Sequence, residues 1–212
     1  MRVARSSTLL PAVLLAACGA AACTEMAAPA KPSPIAELAT ESAGQVSGDD
    51  QSALAAVRGA TAAFHDVGKA VAAGYGSPVG GHCDQMAIGA MGVHTPNPAL
   101  MQNQALVPES PEILLYLPTG GGNYRLVGVE YFQTLLLRDT TTGVVAPWFS
   151  AGPWPSQYVV VNPAPSLFGQ TFQGPMAGHV PGMPWHYDLH VWAWAPNPSG
   201  LFEQWNPSIS CP

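Results

Sequence analysis

The stretch Glu112–Leu137, "EILLYLPTGGGNYRLVGVEYFQTLLL", decides how the chain is to be read. Two runs of β-branched, aromatic and aliphatic residues, "EILLYLP" (Glu112–Pro118) and "YRLVGVEYFQTLLL" (Tyr124–Leu137), flank "TGGGN". Such runs joined by a short glycine-rich connection predict a β-hairpin. Alternate residues of a strand share a face. In "RLVGVEYF" that rule places Leu126, Gly128, Glu130 and Phe132 on one side and Val127, Val129 and Tyr131 on the other. Glu130 then stands inside an otherwise apolar strand, where a lone carboxylate is costly unless it is paired or coordinated.

Further strands are expected on either side. "QMAIGAMGVH" (Gln85–His94), "QYVVVN" (Gln157–Asn162) and "WHYDLHVWAW" (Trp185–Trp194) carry strand composition, and a Gly/Pro/Met-rich loop fills Pro163–Pro184. Ahead of them, Leu54, Val57, Thr61, Phe64, Gly68 and Val71 recur at steps of three and four, the period of an amphipathic helix over Asp50–Ala73. Asp49 or Asp50 can cap its start, and Gly74 is suited to stopping it. Gly59 and Gly68 are costly inside a helix unless they let it lie close to a sheet. One helix followed by strands predicts an α+β domain: an antiparallel sheet with one long N-terminal helix packed on one face. The other face is then free for a site.

Parity sorts the candidate ligands. In the last strand His186, Asp188, His190, Trp192 and Trp194 point one way, and the apolar set Tyr187, Leu189, Val191 and Ala193 points toward the helix. His94 shares its face with Gly92 and Ala90, small residues that leave space above the sheet. If the valine face of Glu130's strand packs on the helix, then His94, Glu130, Asp188 and His190, with His186, line one open surface. Imidazoles with carboxylates are a ligand set for zinc, manganese or iron. His186 and His190 are four residues apart, about 13 Å along a straight strand, so they cannot share one ion without a bulge. Asp188 with His190 is the preferred pair. A repeated Met-x-x-His, Met176/His179 and Met183/His186, adds thioethers that suit copper. The competing structural reading is a buried hydrogen-bonded Glu130/Asp188 pair with Tyr or Trp donors, and tryptophans used for packing. His65 and His82 read as surface or hydrogen-bonded residues.

The pattern excludes several classes. There is no Gly-x-Ser-x-Gly elbow, phosphate-binding glycine loop, His-Glu-x-x-His or Cys-x-x-Cys. "TGGGN" reads as a hairpin tip rather than a phosphate cradle. Asp or Glu beside His leaves room for acid/base catalysis, with Glu130 or Asp188 as the base, but names no substrate.

The first residues carry the features of a secretory signal peptide: Arg2 and Arg5, then the apolar "LLPAVLLAA", too short to span a bilayer. "LAAC", Leu15–Cys18, resembles a bacterial lipobox. The resemblance implies removal of residues 1–17, lipidation of Cys18 and anchoring in the lipid bilayer on the extracytoplasmic side. With Gly19 after the cysteine it further implies the outer membrane where one exists. Residues 18–49, rich in Ala, Pro, Ser and Thr, read as a flexible spacer, and 50–212 as a single domain.

Removing residues 1–17 takes Arg2 and Arg5 from the seven basic side chains, leaving five against thirteen acidic, a net of −8. Such a chain is a poor partner for nucleic acid. With Cys18 lipidated and Cys23 in the spacer, Cys83 and Cys211 remain in the body and are expected to form a disulfide. By loop-closure entropy it would stabilise the fold by roughly 4 kcal/mol.

"MGVHTPNPAL", "PEILLYLP", "LVGVEYF" and "DLHVWAWAPNPSGLFEQWNP" resemble the body of exported bacterial proteins of no assigned function. The His-x-His with a following Glu that cupins use is not present, so that family's sites are not carried over. The expected function is an extracytoplasmic lipoprotein that binds a small ligand or transition-metal ion on one sheet face. The alternatives are a metal-dependent enzyme and a structural envelope protein.

Overall fold

The computed structural model describes residues 48–180 and 182–212. Residues 1–47, which hold the expected signal peptide, Cys18 and nearly all of the expected spacer, lie outside the described residues. Among the described residues, no helix is long and apolar enough to cross a membrane.

The described residues are mostly β. Its centre is a six-stranded antiparallel sheet in the order β1-β2-β3-β4-β11-β10. The strands are β1 (Cys83–Met86), β2 (Gly89–Pro96), β3 (Ile113–Gly120), β4 (Asn123–Thr134), β10 (Gln173–Met176) and β11 (His186–Val191). Between β4 and β10 the chain forms a three-stranded sheet, β6-β5-β7, from β5 (Leu136–Asp139), β6 (Val145–Pro147) and β7 (Tyr158–Val160). A two-stranded ribbon follows, β8 (Ser166–Leu167) with β9 (Gln170–Thr171).

This corrects the α+β expectation. The helical region is not one long helix but three pieces: α1 (Gly48–Thr61), a 3-10 turn (Ala62–His65) and α2 (Val67–Ala72). Asp66 causes the break. Its backbone is extended, and its carboxylate accepts hydrogen bonds from the Gly68 and Lys69 amides, so it caps a new helix instead of continuing the old one. The apolar spacing fails at the same place: Leu54, Val57 and Thr61 are buried, whereas Val71 is exposed. Asp49 and Asp50, expected to cap the helix, lie within it rather than ahead of it. A third short helix, α3 (Pro98–Asn103), is capped by Asn97.

Other boundaries also move. "QMAIGAMGVH" is a hairpin rather than one strand, because the chain turns at Ala87 and Ile88 and Ile88 is left exposed. "TGGGN" forms the expected tip between β3 and β4, with Gly121 and Gly122 at positive φ. The stretch Pro163–Pro184 is more than a loop, since it supplies β8, β9 and β10. "QYVVVN" contributes β7.

Two apolar cores lie against the main sheet. One gathers Leu54, Val57 and Ala70 with Tyr116, Leu126, Val129, Tyr131, Tyr187, Leu189 and Val191. The other holds Ile113, Leu115, Val127, Phe132, Trp192 and Ile209. Each fully buried side chain of this size contributes about 1.5–3 kcal/mol. Strand parity is interrupted in β4. A register shift opposite Leu115/Tyr116 puts Leu126 and Val127 on faces opposite to those of simple alternation. Gly128 sits at this shift, where a Cβ would lie 2.8 Å from the Val191 carbonyl oxygen. Trp194 also leaves its expected face. β11 has ended by then, and the indole packs on the helix side and donates to Thr61 Oγ1.

Glu112 precedes β3 and is buried, with Oε2 accepting from the Phe132 amide and Oε1 without a partner. Burial is the main reason its pKa rises to about 7, and the Glu130 charge adds to it. The folded state therefore holds a proton that the unfolded chain has lost. Stability contributed by this group is complete below pH 4.5 and falls by about 3 kcal/mol as pH rises to about 7. Urea unfolding at pH 5 and pH 8 checks this: Glu112→Gln, whose amide oxygen can still accept from Phe132, is expected to remove that part of the decline.

Candidate functional site

β2, β4 and β11 each bring one residue to a common point. His190 lies directly opposite Glu130 in the β4–β11 ladder, and His94 reaches the same carboxylate from β2, two strands away. His94 Nε2 is 3.2 Å from Glu130 Oε2, and His190 Nε2 is 3.7 Å from the same oxygen. One potential ligand atom from each of His94, Glu130 and His190 lies within 4.8 Å of the others. The two imidazoles are nearly perpendicular, at an interplanar angle of 83°.

Asp84, which the sequence reading did not single out, completes the arrangement. Its Oδ2 is 3.0 Å from His94 Nδ1. A carboxylate holding the far nitrogen of an imidazole fixes the tautomer that presents Nε2 and strengthens it as a ligand. Asp84 was hidden because the strand was expected to start at Gln85 and run unbroken to His94. The Ala87–Ile88 turn folds β1 back onto β2 and pairs Asp84 with Gly92. Cys83 is disulfide-bonded to Cys211, as expected, so Asp84 sits beside a covalent tie.

The electrostatics centre on Glu130. Burial pushes its pKa up, but His190 and His94 outweigh this and hold it down at about 2. Burial lowers that of His94, and the Asp84 hydrogen bond with the charges of Glu130 and Asp84 overcomes it, raising it to about 10. His190 is brought down to about 4 by burial, so its ring is neutral. The His94 hydrogen bond lowers the pKa of Asp84.

Among the described residues, Tyr and Trp side chains do not donate to these carboxylates. Tyr75, Tyr116, Tyr131 and Tyr187 donate to backbone carbonyls, as do Trp148, Trp185 and Trp192, and Trp194 donates to Thr61. The buried pair with Tyr or Trp donors is thus not formed. Among the described residues, Glu130 Oε2, Asp188 Oδ1, His186 Nε2 and both His190 nitrogens have no hydrogen-bond partner of good geometry. Buried polar atoms are nearly always satisfied, and a group of them on one wall marks a place made for something else.

The cluster opens onto a cavity of about 350 Å³. Asp188 and His186 line it but stand outside the three-residue cluster. Asp188 faces Phe132 and His186 faces Thr134 across the ladder, two and four pairs along from Glu130. The Met-x-x-His motifs separate: His179, Met183 and His186 line the cavity, while Met176 is on β10 and is not part of the lining. Met91 and Met101 join them there. His65 and His82 are exposed. None of the six tryptophans is exposed as a flat platform.

Fold and site together describe a mostly-β domain with a His/Glu/His group able to hold a metal ion. No protein-family model matches the chain, and neither curated proteins nor solved structures show a significant match to it.

Proposed function

We propose that the protein binds one divalent transition-metal ion through His94, Glu130 and His190, as a lipid-anchored protein of the extracytoplasmic envelope. The observation that carries the metal reading is the Glu130 carboxylate, 2% exposed, with two imidazoles around it and no neutral donor. Two imidazoles and a carboxylate with space beside them suit zinc with a free fourth position, and equally manganese or iron. Copper has support from Met91, Met101 and Met183 on the cavity wall. The anchor rests on Leu15–Cys18, and replacing Cys18 by alanine should release the protein from the membrane fraction.

Loading the purified protein with zinc, manganese, iron or copper, followed by washing and elemental analysis, tests the metal reading. About one equivalent of one of them is expected, and less than about a tenth of an equivalent of all four would overturn it. Asp84→Asn keeps the fold and removes the orienting charge. It should weaken zinc binding by about 10–100-fold in a competition titration.

A second reading, a metal-dependent enzyme, is favoured by Asp188, whose buried Oδ1 faces the cavity unpartnered. With Glu130 on the metal, Asp188 is the carboxyl left for proton transfer; burial raises its pKa to about 8, so it acts as general base only as pH rises toward that value and as a proton donor below it.

A further inference from the structure

His186 is fully buried, and its two ring nitrogens are treated differently. Nδ1 lies 3.0 Å from the Pro184 carbonyl oxygen, which can only accept, so Nδ1 carries the proton and donates it. Nε2 of the neutral ring is then an acceptor. It is buried, has no partner, and its ring lines the cavity. Phe132 stacks on the ring at 4.7 Å and holds its plane. Burial also favours the neutral form. Two residues along, Asp188 offers a second buried oxygen without a partner on the same wall. The apolar part of the lining is Met91, Met101, Ile113 and Met183, with the His179 ring 5.3 Å from that of His186 and Asp84, His94, Glu130 and His190 on the remaining wall.

A preoriented acceptor beside the methionine and isoleucine part of the cavity wall specifies a ligand. It has an apolar body and one hydrogen-bond donor, and at about 350 Å³ there is ample room. An engineered cavity of about 150 Å³ already holds benzene. The donor is better neutral than cationic, because an ammonium loses far more hydration than a hydroxyl among methionine and isoleucine side chains, and the Asp84 and Glu130 carboxylates are already engaged by His94.

We propose that this cavity is a binding site for a small alcohol or phenol with an apolar body, whose hydroxyl donates to His186 Nε2. The site goes beyond the metal reading and does not need the ion. His186 lies four residues from His190, about 13 Å along the strand.

The test uses the full chain with a chelator present, so that its outcome is independent of whether a metal binds. Benzyl alcohol, toluene and benzylamine are titrated separately by NMR. Benzyl alcohol should bind about tenfold or more tightly than toluene. The ¹⁵N signal of His186 Nε2 should move with the alcohol and stay in place with toluene. His186→Leu should bring the alcohol down to the affinity of toluene. If that variant does not fold, Met101→Trp, which fills the cavity from α3, should abolish binding of both. Equal binding of alcohol and toluene, tighter binding of benzylamine, no binding of any probe, or an unmoved Nε2 signal would each overturn the proposal.

Discussion

His190→Ala is expected to weaken zinc binding by at least ~100-fold and to remove the stabilisation that zinc gives the wild-type fold. At a thousandfold excess of free zinc over its dissociation constant, wild-type protein should gain about 4 kcal/mol against unfolding. In His190→Ala, Glu130→Gln and His94→Ala this zinc-dependent gain should vanish, whereas His65→Ala should keep it. Comparing thermal melts with and without zinc separates the site from the fold, because any effect of the substitution on packing is present in both. A zinc-dependent gain that survives all three substitutions would show that the ion sits elsewhere.

Removing the disulfide with Cys83→Ser and Cys211→Ser together should cost roughly 4 kcal/mol, because the bridge spans 128 positions and restricts the unfolded chain. The same pair should lower zinc affinity, by about tenfold. Cys83 is the neighbour of Asp84, and the Cys211 amide donates to Gln85 Oε1 at 2.5 Å, so the bridge and its surroundings hold β1 where Asp84 meets His94. Chemical denaturation measures the first effect and competition titration the second. A wild-type zinc affinity in the double serine variant would show that Asp84 keeps its place without the bridge.

Much of the sheet was legible because its information is local. Alternation in "LVGVEYF" and "HYDLHV" put Glu130 and His190 on related faces, and the Gly121–Gly122 tip fixed the hairpin. His94, Glu130 and His190 were readable as a group for that reason. Asp188 was read as the partner of His190, but the ladder places it opposite Phe132, and register is a property of two strands that neither states alone. The helix was misjudged because the three-and-four spacing runs straight through Asp66. There a competing side-chain hydrogen bond to the next amides prevailed over apolar periodicity. β10, "QGPM", has no strand composition and exists through its pairing with β11. The shift at Val127 and Gly128 likewise depends on contact with β3 and β11.

His94, Glu130 and His190 stand on interior strands of the six-stranded sheet, whereas Asp84 stands on β1, at its edge. Interior strands open only in large, rare excursions, while edges fray often and cheaply. The three candidate donors and the carboxylate that orients His94 are therefore built into parts of the molecule with different lifetimes. Fraying of β1 would release His94 from its orienting carboxylate without dispersing the donors. Capacity for an ion would persist through such events, and the time an ion stays bound would be set by how firmly one short outer strand is held down.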